Sequence, residues 1–203
     1  LHRTEDLEAH SRLLPLLHDF LQELDNLLWE MKCEKNAIGF ADAEQLALSL
    51  LGECQEDGAI RQTALAKELS EFYQIIMIDE FQDTNNKQDL IFKLISHNGS
   101  AVSNGNNLFM VGDVKQAIYR FRLANPLNFI RTMQACKPYS GTDDGENAFI
   151  LLNRNFRSSP EVIAMVNFLC GTLMTEQVGE VAYTQSEALH QGAAFADTPR
   201  RTQ

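Results

Sequence analysis

No stretch of this 203-residue chain approaches the ~18 apolar residues of a membrane-spanning helix. The opening LHRTEDLEAH has no apolar core, so it is not expected to be a secretory signal. It also has no initiator Met, and the chain is expected to be an internal piece of something longer. Cys33, Cys54, Cys136 and Cys170 are scattered without a C-x-x-C pair, so they form neither a zinc motif nor a disulfide frame and read as reduced thiols of a cytoplasmic protein. Positive charge is in deficit: 17 basic against 28 acidic residues give −11, which argues against an indiscriminate binder of nucleic acid or membrane surface. None of the 11 glycines is followed by Lys, so the chain holds no G-x-x-x-x-G-K-[ST] phosphate loop.

The charge that is present is uneven. Residues 115–157 carry seven basic residues (Lys115, Arg120, Arg122, Arg131, Lys137, Arg154, Arg157) against three acids, a local +4 on a body of −15. One basic surface on an acidic protein is a usable electrostatic footprint.

Residues 5–33 read as a helix, with Leu7, Leu14, Leu21 and Leu28 at heptad spacing and Leu17, Leu24 and Met31 offset by three. The pattern suits a bundle helix, and Pro15 is expected to kink or break it. Asp42 with Gln45 reads as a capping pair for a second helix through Leu46, Leu50 and Leu51. GECQEDG (52–58) reads as a loop and 59–72 as a third helix.

Three short apolar runs follow: QIIMID (74–79), NLFMVGD (107–113) and AFILLN (148–153), separated by helical stretches. Asn125-Pro126 and Ser159-Pro160 are N-cap-then-Pro helix starts. Apolar strands alternating with helices imply an α/β fold with a parallel sheet covered on both faces, where ligands sit beyond the carboxyl ends of the strands. Asp79 and Glu80, Gly112 and Asp113, and Asn153 to Arg157 would then share one edge. Residues 96–107 and 140–147 have loop composition, and the tail after about 175 has little pattern.

Adjacent acids at a strand end have two readings: solvated loop acids with a capping role, or a metal-and-water site. Mg²⁺ takes oxygen ligands, commonly one or two carboxylates plus substrate phosphates, and a neighbouring carboxylate can take a proton from attacking water. Nucleoside triphosphate hydrolysis needs both, plus cations aimed at the γ-phosphate. In KQAIYRFR, aromatics Tyr119 and Phe121 interleave with Arg120 and Arg122, a pattern suited to single-stranded nucleic acid; the alternative for Phe121 is core packing.

Taken together and in order, IDEFQDTN, VGDVKQAIYRFRLANP and LNRNFRSSPEV resemble motifs II, III and IV of the UvrD/Rep group of superfamily 1 helicases. GDVKQAIYRFRLA with the following NP, FADAEQLALSLL upstream and VGEVAYTQSEAL downstream are most similar to its AddA (RexA) branch. The resemblance covers roughly 36–195. It implies part of a RecA-like P-loop NTPase motor domain over 71–175, a helical segment of insertion subdomain 1B over 1–70 and an irregular tail over 176–203. It implies ATP and Mg²⁺ as cofactors, with Asp79 as the Mg²⁺ ligand, Glu80 as the base, Gln116 as the γ-phosphate sensor and Arg157 as the transition-state cation. Phe156 stands where the family stacks adenine on an aromatic, usually Tyr; Gln82 and Asp83 complete motif II at the nucleotide; Ala117 stands where Ser is commoner. Tyr119, Phe121 and Arg122 match residues that couple the nucleotide to single-stranded DNA.

The implied parent is an ATP-dependent helicase with associated exonuclease that unwinds and degrades DNA ends in double-strand break repair and recombination. Its implied partners are a single-stranded tail and duplex end of DNA and an AddB/RexB-like subunit, with no membrane. The isolated chain, without a phosphate loop, is expected to be inactive. The alternative is a degenerate helicase-like module that only binds DNA or a partner.

Overall fold

The computed structural model describes residues 2–97, 106–142, 147–175, 177 and 183–193. The chain divides into two compact units, 1–49 and 50–203.

The first unit is helical. Helix α1 spans His2–Glu34 and runs through Pro15, so the break expected there does not occur; the ring forfeits one i→i−4 donor without ending the helix. Helix α2 spans Phe40–Leu51. Asp42 lies inside its first turn rather than ahead of it, correcting the N-cap expectation. Its Oδ2 accepts from Gly39 N (2.8 Å) and its Oδ1 from Lys32 Nζ (2.8 Å), so it reaches back to the donors that precede the helix. Bonds from Lys32 and Gly39 outweigh desolvation and hold its carboxyl below the usual range. Among the described residues no helix is long and apolar enough to cross a membrane.

The second unit opens with a hairpin where loop and helix were expected. Strands β1 (Gly52–Cys54) and β2 (Ile60–Gln62) pair antiparallel. Asp57 Oδ1 accepts from Ala59 N (2.9 Å), and Gly58 at φ +80° supplies the left-handed turn, so local turn chemistry overrides the helical composition of 59–62. Helix α3 then spans Ala64–Phe72, capped by the Thr63 side chain on Ala66 N.

Strand β3 (Ile76–Ile78) and strand β4 (Leu108–Met110) pair in parallel, in the register Ile76↔Leu108, Met77↔Phe109, Ile78↔Met110. Two further bonds extend the ladder past the strand ends: Val111 N to Ile78 O and Phe81 N to Val111 O, both 2.9 Å. Helix α4 (Asn86–Leu94) starts with a full capping box between Asn85 and Gln88, and helix α5 spans Leu127–Gln134. Phe81 is 1% exposed and meets the Phe129 ring edge-on at 5.7 Å, which packs α5 against the turn after β3. Ser159 is the N-cap of helix α6 (Pro160–Leu173) with Pro160 in its first turn, as expected, whereas the N-cap of α5 is Pro126 and not Asn125, which lies one residue further out and accepts at Oδ1 from Leu127 N (3.2 Å).

The third apolar run is not one strand beside β3 and β4. Ala148–Phe149 (β6) pairs in parallel with Lys137–Pro138 (β5), and Arg154–Asn155 (β7) with His190–Gln191 (β8). Ile150, Leu151 and Leu152 between them are exposed, and among the described residues no layer flanks them to make a two-sided buried strand. The chain is thus a mixed α/β protein with small parallel sheets, and the single sheet edge expected for all three polar clusters is replaced by two separate ladders. Of the expected loops, 98–105 and 143–146 lie outside the described residues, as does most of the tail beyond 175. The part described, 183–193, is ordered against α6. Asn167 donates to Leu189 O (2.9 Å) and accepts from Leu189 N (3.0 Å) and Tyr183 Oη (2.5 Å).

Candidate functional site

The extended β3–β4 ladder fixes which residues meet at its carboxyl end. Asp79 and Glu80 leave β3; Gly112 and Asp113 leave β4. Asp79 Oδ1 accepts from Glu80 N (2.9 Å). Glu80 itself sits at φ +50°, ψ +42°, in the left-handed region. A non-glycine residue held there costs about 1–3 kcal/mol and persists only where the surroundings over-determine it.

Gln82 supplies that constraint. It is 1% exposed, donates from Nε2 to Glu80 Oε2 (2.6 Å) and accepts at Oε1 from Asp113 N (2.9 Å). A Cβ on Gly112 would lie 2.5 Å from Gln82 Oε1 and 3.2 Å from Phe81 N, so only glycine lets β4 come this close to the turn after β3. Asp113 opens the 3-10 turn Val114–Gln116 and carries the network onward. Its Oδ2 accepts from Gln116 Nε2 (2.9 Å) and its Oδ1 from Lys115 N (3.1 Å) and Lys115 Nζ (2.8 Å). The result is one hydrogen-bonded chain, Glu80–Gln82–Asp113–Gln116.

Electrostatics follow the same bonds. Burial raises Asp113, but hydrogen bonds from Lys115 and Gln116 outweigh it and hold the carboxyl below the usual range. Burial likewise lowers Lys115, but its bonds to Asp113 and Glu187 prevail and raise it. Asp83 is pushed up, chiefly by desolvation and then by the charge of Glu80, and its Oδ1 is buried without a hydrogen-bond partner.

A second cluster lies on the same segment. The 3-10 turn Arg120–Arg122 ends at Leu123, at φ +68°. Phe121 is 76% exposed and Tyr119 39%, their centroids 5.9 Å apart. The Arg122 guanidinium lies 5.6 Å from the Tyr119 ring and 5.5 Å from the Phe121 ring. Phe121 is therefore not a core residue of this unit.

The third cluster stands on the turn after β7. Asn155 Oδ1 accepts from Arg157 N (2.9 Å) and Ser158 N (2.8 Å), and Asn155 to Ser158 line an open depression of about 650 Å³. The exposed Phe156 ring packs against Gly192, where a Cβ would come within 2.7 Å of it.

The structure thus brings Asp79, Glu80, Gln82 and Gln116 together, leads from them to Tyr119, Phe121 and Arg122, and sets Phe156 and Arg157 on a separate ladder. Sequence reading gave Asp113 only as a strand end and gave Lys115, Glu187 and Gly192 no role. Nothing local in the sequence pairs Lys115 with a residue 72 positions away.

A family model described as the UvrD/REP helicase N-terminal domain matches residues 2–137. Among curated relatives, the chain is 42% identical over 185 residues to an ATP-dependent helicase/nuclease subunit of Clostridium botulinum, covering 91% of the chain and 14% of that protein. It is 42% identical over 171 residues to the subunit of the same name in Bacillus pumilus, covering 84% and 14%. It is 38% identical over 195 residues to that of Thermoanaerobacter pseudethanolicus, covering 96% and 15%. The chain therefore spans about one seventh of the length of these relatives. With two thirds of its residues under the family model, this chain belongs to the UvrD/REP helicase family.

Proposed function

We propose that this chain supplies the acid and γ-phosphate-sensing half of an ATP hydrolysis site, and a single-stranded DNA contact, to an ATP-dependent helicase/nuclease subunit of the cytoplasm. Residues 71–175 contribute to its RecA-like motor domain and 1–70 to its helical insertion. The observation that carries this reading is the hydrogen-bonded chain from Glu80 through Gln82 and Asp113 to Gln116, which holds a candidate base and a candidate phosphate sensor in fixed relation.

The residues suit Mg²⁺ bound with a nucleotide. Asp79 offers one exposed carboxylate, and among the described residues no group of three or more ligating side chains gathers into an all-protein cage. That is the donor set of an ion held by one or two carboxylates with phosphates completing the shell. Bound there, Mg²⁺ would neutralise charge on the phosphates. Glu80 accepts the proton of the attacking water. Its neighbour Gln82 keeps the carboxylate oriented, and the left-handed backbone at 80 is strain consistent with a positioned catalytic group. Gln116 exchanges its bond to Asp113 for one to the γ-phosphate, and Arg157 meets the charge that develops there. Phe156 offers a ring face to the base. Tyr119, Phe121 and Arg122 take single-stranded DNA by stacking and phosphate contact. A partner subunit of the AddB/RexB kind and action on DNA ends in break repair follow from the same family reading. The rival reading, a module that only binds, gives no reason for Glu80 to be held in a strained conformation.

The test is a paired ATPase assay. The longer subunit that carries this segment hydrolyses ATP only with Mg²⁺ and single-stranded DNA both present, whereas the 203-residue chain, with no phosphate loop, turns over none. A longer subunit without DNA-stimulated turnover contradicts the proposal.

A further inference from the structure

The segment Tyr183–Ala193 touches both of the ladders between which the site residues are divided. Its β8 pairs with β7, through His190 N to Asn153 O (2.7 Å) and Gly192 N to Asn155 O (2.8 Å), directly beside Phe156 and Arg157. Its Glu187 accepts at Oε2 from Lys115 Nζ (2.8 Å), and the same Nζ binds Asp113 Oδ1 (2.8 Å). Asn167 of α6 pins its middle at Leu189. The Lys115 and Glu187 side chains are only 20% and 22% exposed, so the pair is partly desolvated and geometrically defined rather than a surface ion pair. Asp113 in turn is the residue that holds Gln116.

We propose that this segment is a strut, and that Lys115 and Glu187 are positioning residues. Through them the Phe156–Arg157 turn and the Asp113–Gln116 turn are set in one register. The inference rests on the reading of Gln116 as γ-phosphate sensor and adds to it the elements that aim it. Neutralising Glu187 leaves Lys115 with one anion and replaces a charge-assisted bond by a weaker neutral one, which loosens the strut's hold on the sensor turn and lets Asp113 and Gln116 drift together. Misplacement by about 1 Å is enough to cost on the order of 10²-fold in rate.

The experiment measures DNA-stimulated kcat, affinity for ATP and for ADP, and melting temperature in the longer subunit carrying Glu187→Gln, Lys115→Met, Gln116→Ala and the double variant Gln116→Ala/Glu187→Gln. Glu187→Gln is isosteric and keeps a hydrogen-bond acceptor, so it remains informative if Lys115→Met fails to fold. The strut predicts that Glu187→Gln lowers kcat by about 10- to 100-fold and erodes the preference for ATP over ADP as Gln116→Ala does. It predicts too that the double variant is no worse than Gln116→Ala alone, because both changes act through one group. The exchange Lys115→Glu with Glu187→Lys restores opposite charges between 115 and 187 yet sets a carboxylate against Asp113, so it does not restore turnover. A simple tether would be rescued by that exchange. Near-normal kcat in Glu187→Gln with Gln116→Ala impaired overturns the strut and leaves the sensor reading standing, as do additive losses in the double variant. Near-normal kcat in Gln116→Ala overturns both.

Discussion

At the scale of single residues, the centre of the site is a buried amide with two obligations. Gln82 must find an acceptor for Nε2 and a donor for Oε1, and it finds them on Glu80 and on the backbone of Asp113. Removing a partner strands a buried polar atom, which costs more than a typical hydrogen bond contributes. Glu80→Ala is therefore expected to destabilise the chain by about 1–3 kcal/mol in urea unfolding. Glu80→Gln, which still presents a carbonyl oxygen to Gln82, is expected to stay near the parent value. Equal midpoints for Ala and Gln at 80 would show that Gln82 is satisfied elsewhere. The two charged groups below it set a pH signature. Asp113 is held below its ordinary 3.8, so its contribution is present above that value and is lost as pH falls through the lower folded-state value. Lys115 is held above its ordinary 10.5, so its contribution is present below that value and is lost as pH rises through the higher one. Asp113→Asn should flatten the acid limb of stability below about pH 4, measured by urea midpoints across pH. An acid limb unchanged by that substitution would mean that other carboxylates set it.

At the scale of elements, the 3-10 turn Arg120–Arg122 is a short platform with its rings outward. Its expected signature in the longer subunit is a loss of about 1–3 kcal/mol in single-stranded DNA binding for Phe121→Ala, the worth of one stacked base. The melting temperature should hardly move, since the ring is 76% exposed. Unchanged DNA affinity with a lowered melting temperature would return Phe121 to a packing role. This is also the scale at which sequence and structure part. The strands at 76–78 and 108–110 and the X-Pro helix starts were legible because apolar runs, Pro and capping residues act within a few positions. The hairpin at 52–62 was legible only in its turn: GECQEDG reads as a loop, but its first residues form a strand and the residues after Gly58 have a composition that favours helix, so their pairing back onto 52–54 was missed. The run 148–153 looked like a buried strand, but apolar residues alone cannot say which neighbour a strand will pair with; its first two residues pair with β5, and the two residues that follow it pair with β8.

At the scale of the whole molecule, Asp79, Glu80 and Gln116 were legible as motif residues. The bonds that hold them were not: Gln82 to Asp113 spans 31 positions and Lys115 to Glu187 spans 72, and no local period encodes either. What unites these parts is the claim that the acids at the end of β3 serve ATP hydrolysis. The most direct measurement of it is single-stranded-DNA-stimulated ATP turnover, with ATP binding measured in parallel, by the longer subunit carrying Glu80→Gln. The account predicts binding close to the parent's and turnover lower by at least ~10²-fold, the low end for losing a general base; near-normal turnover in Glu80→Gln would contradict it.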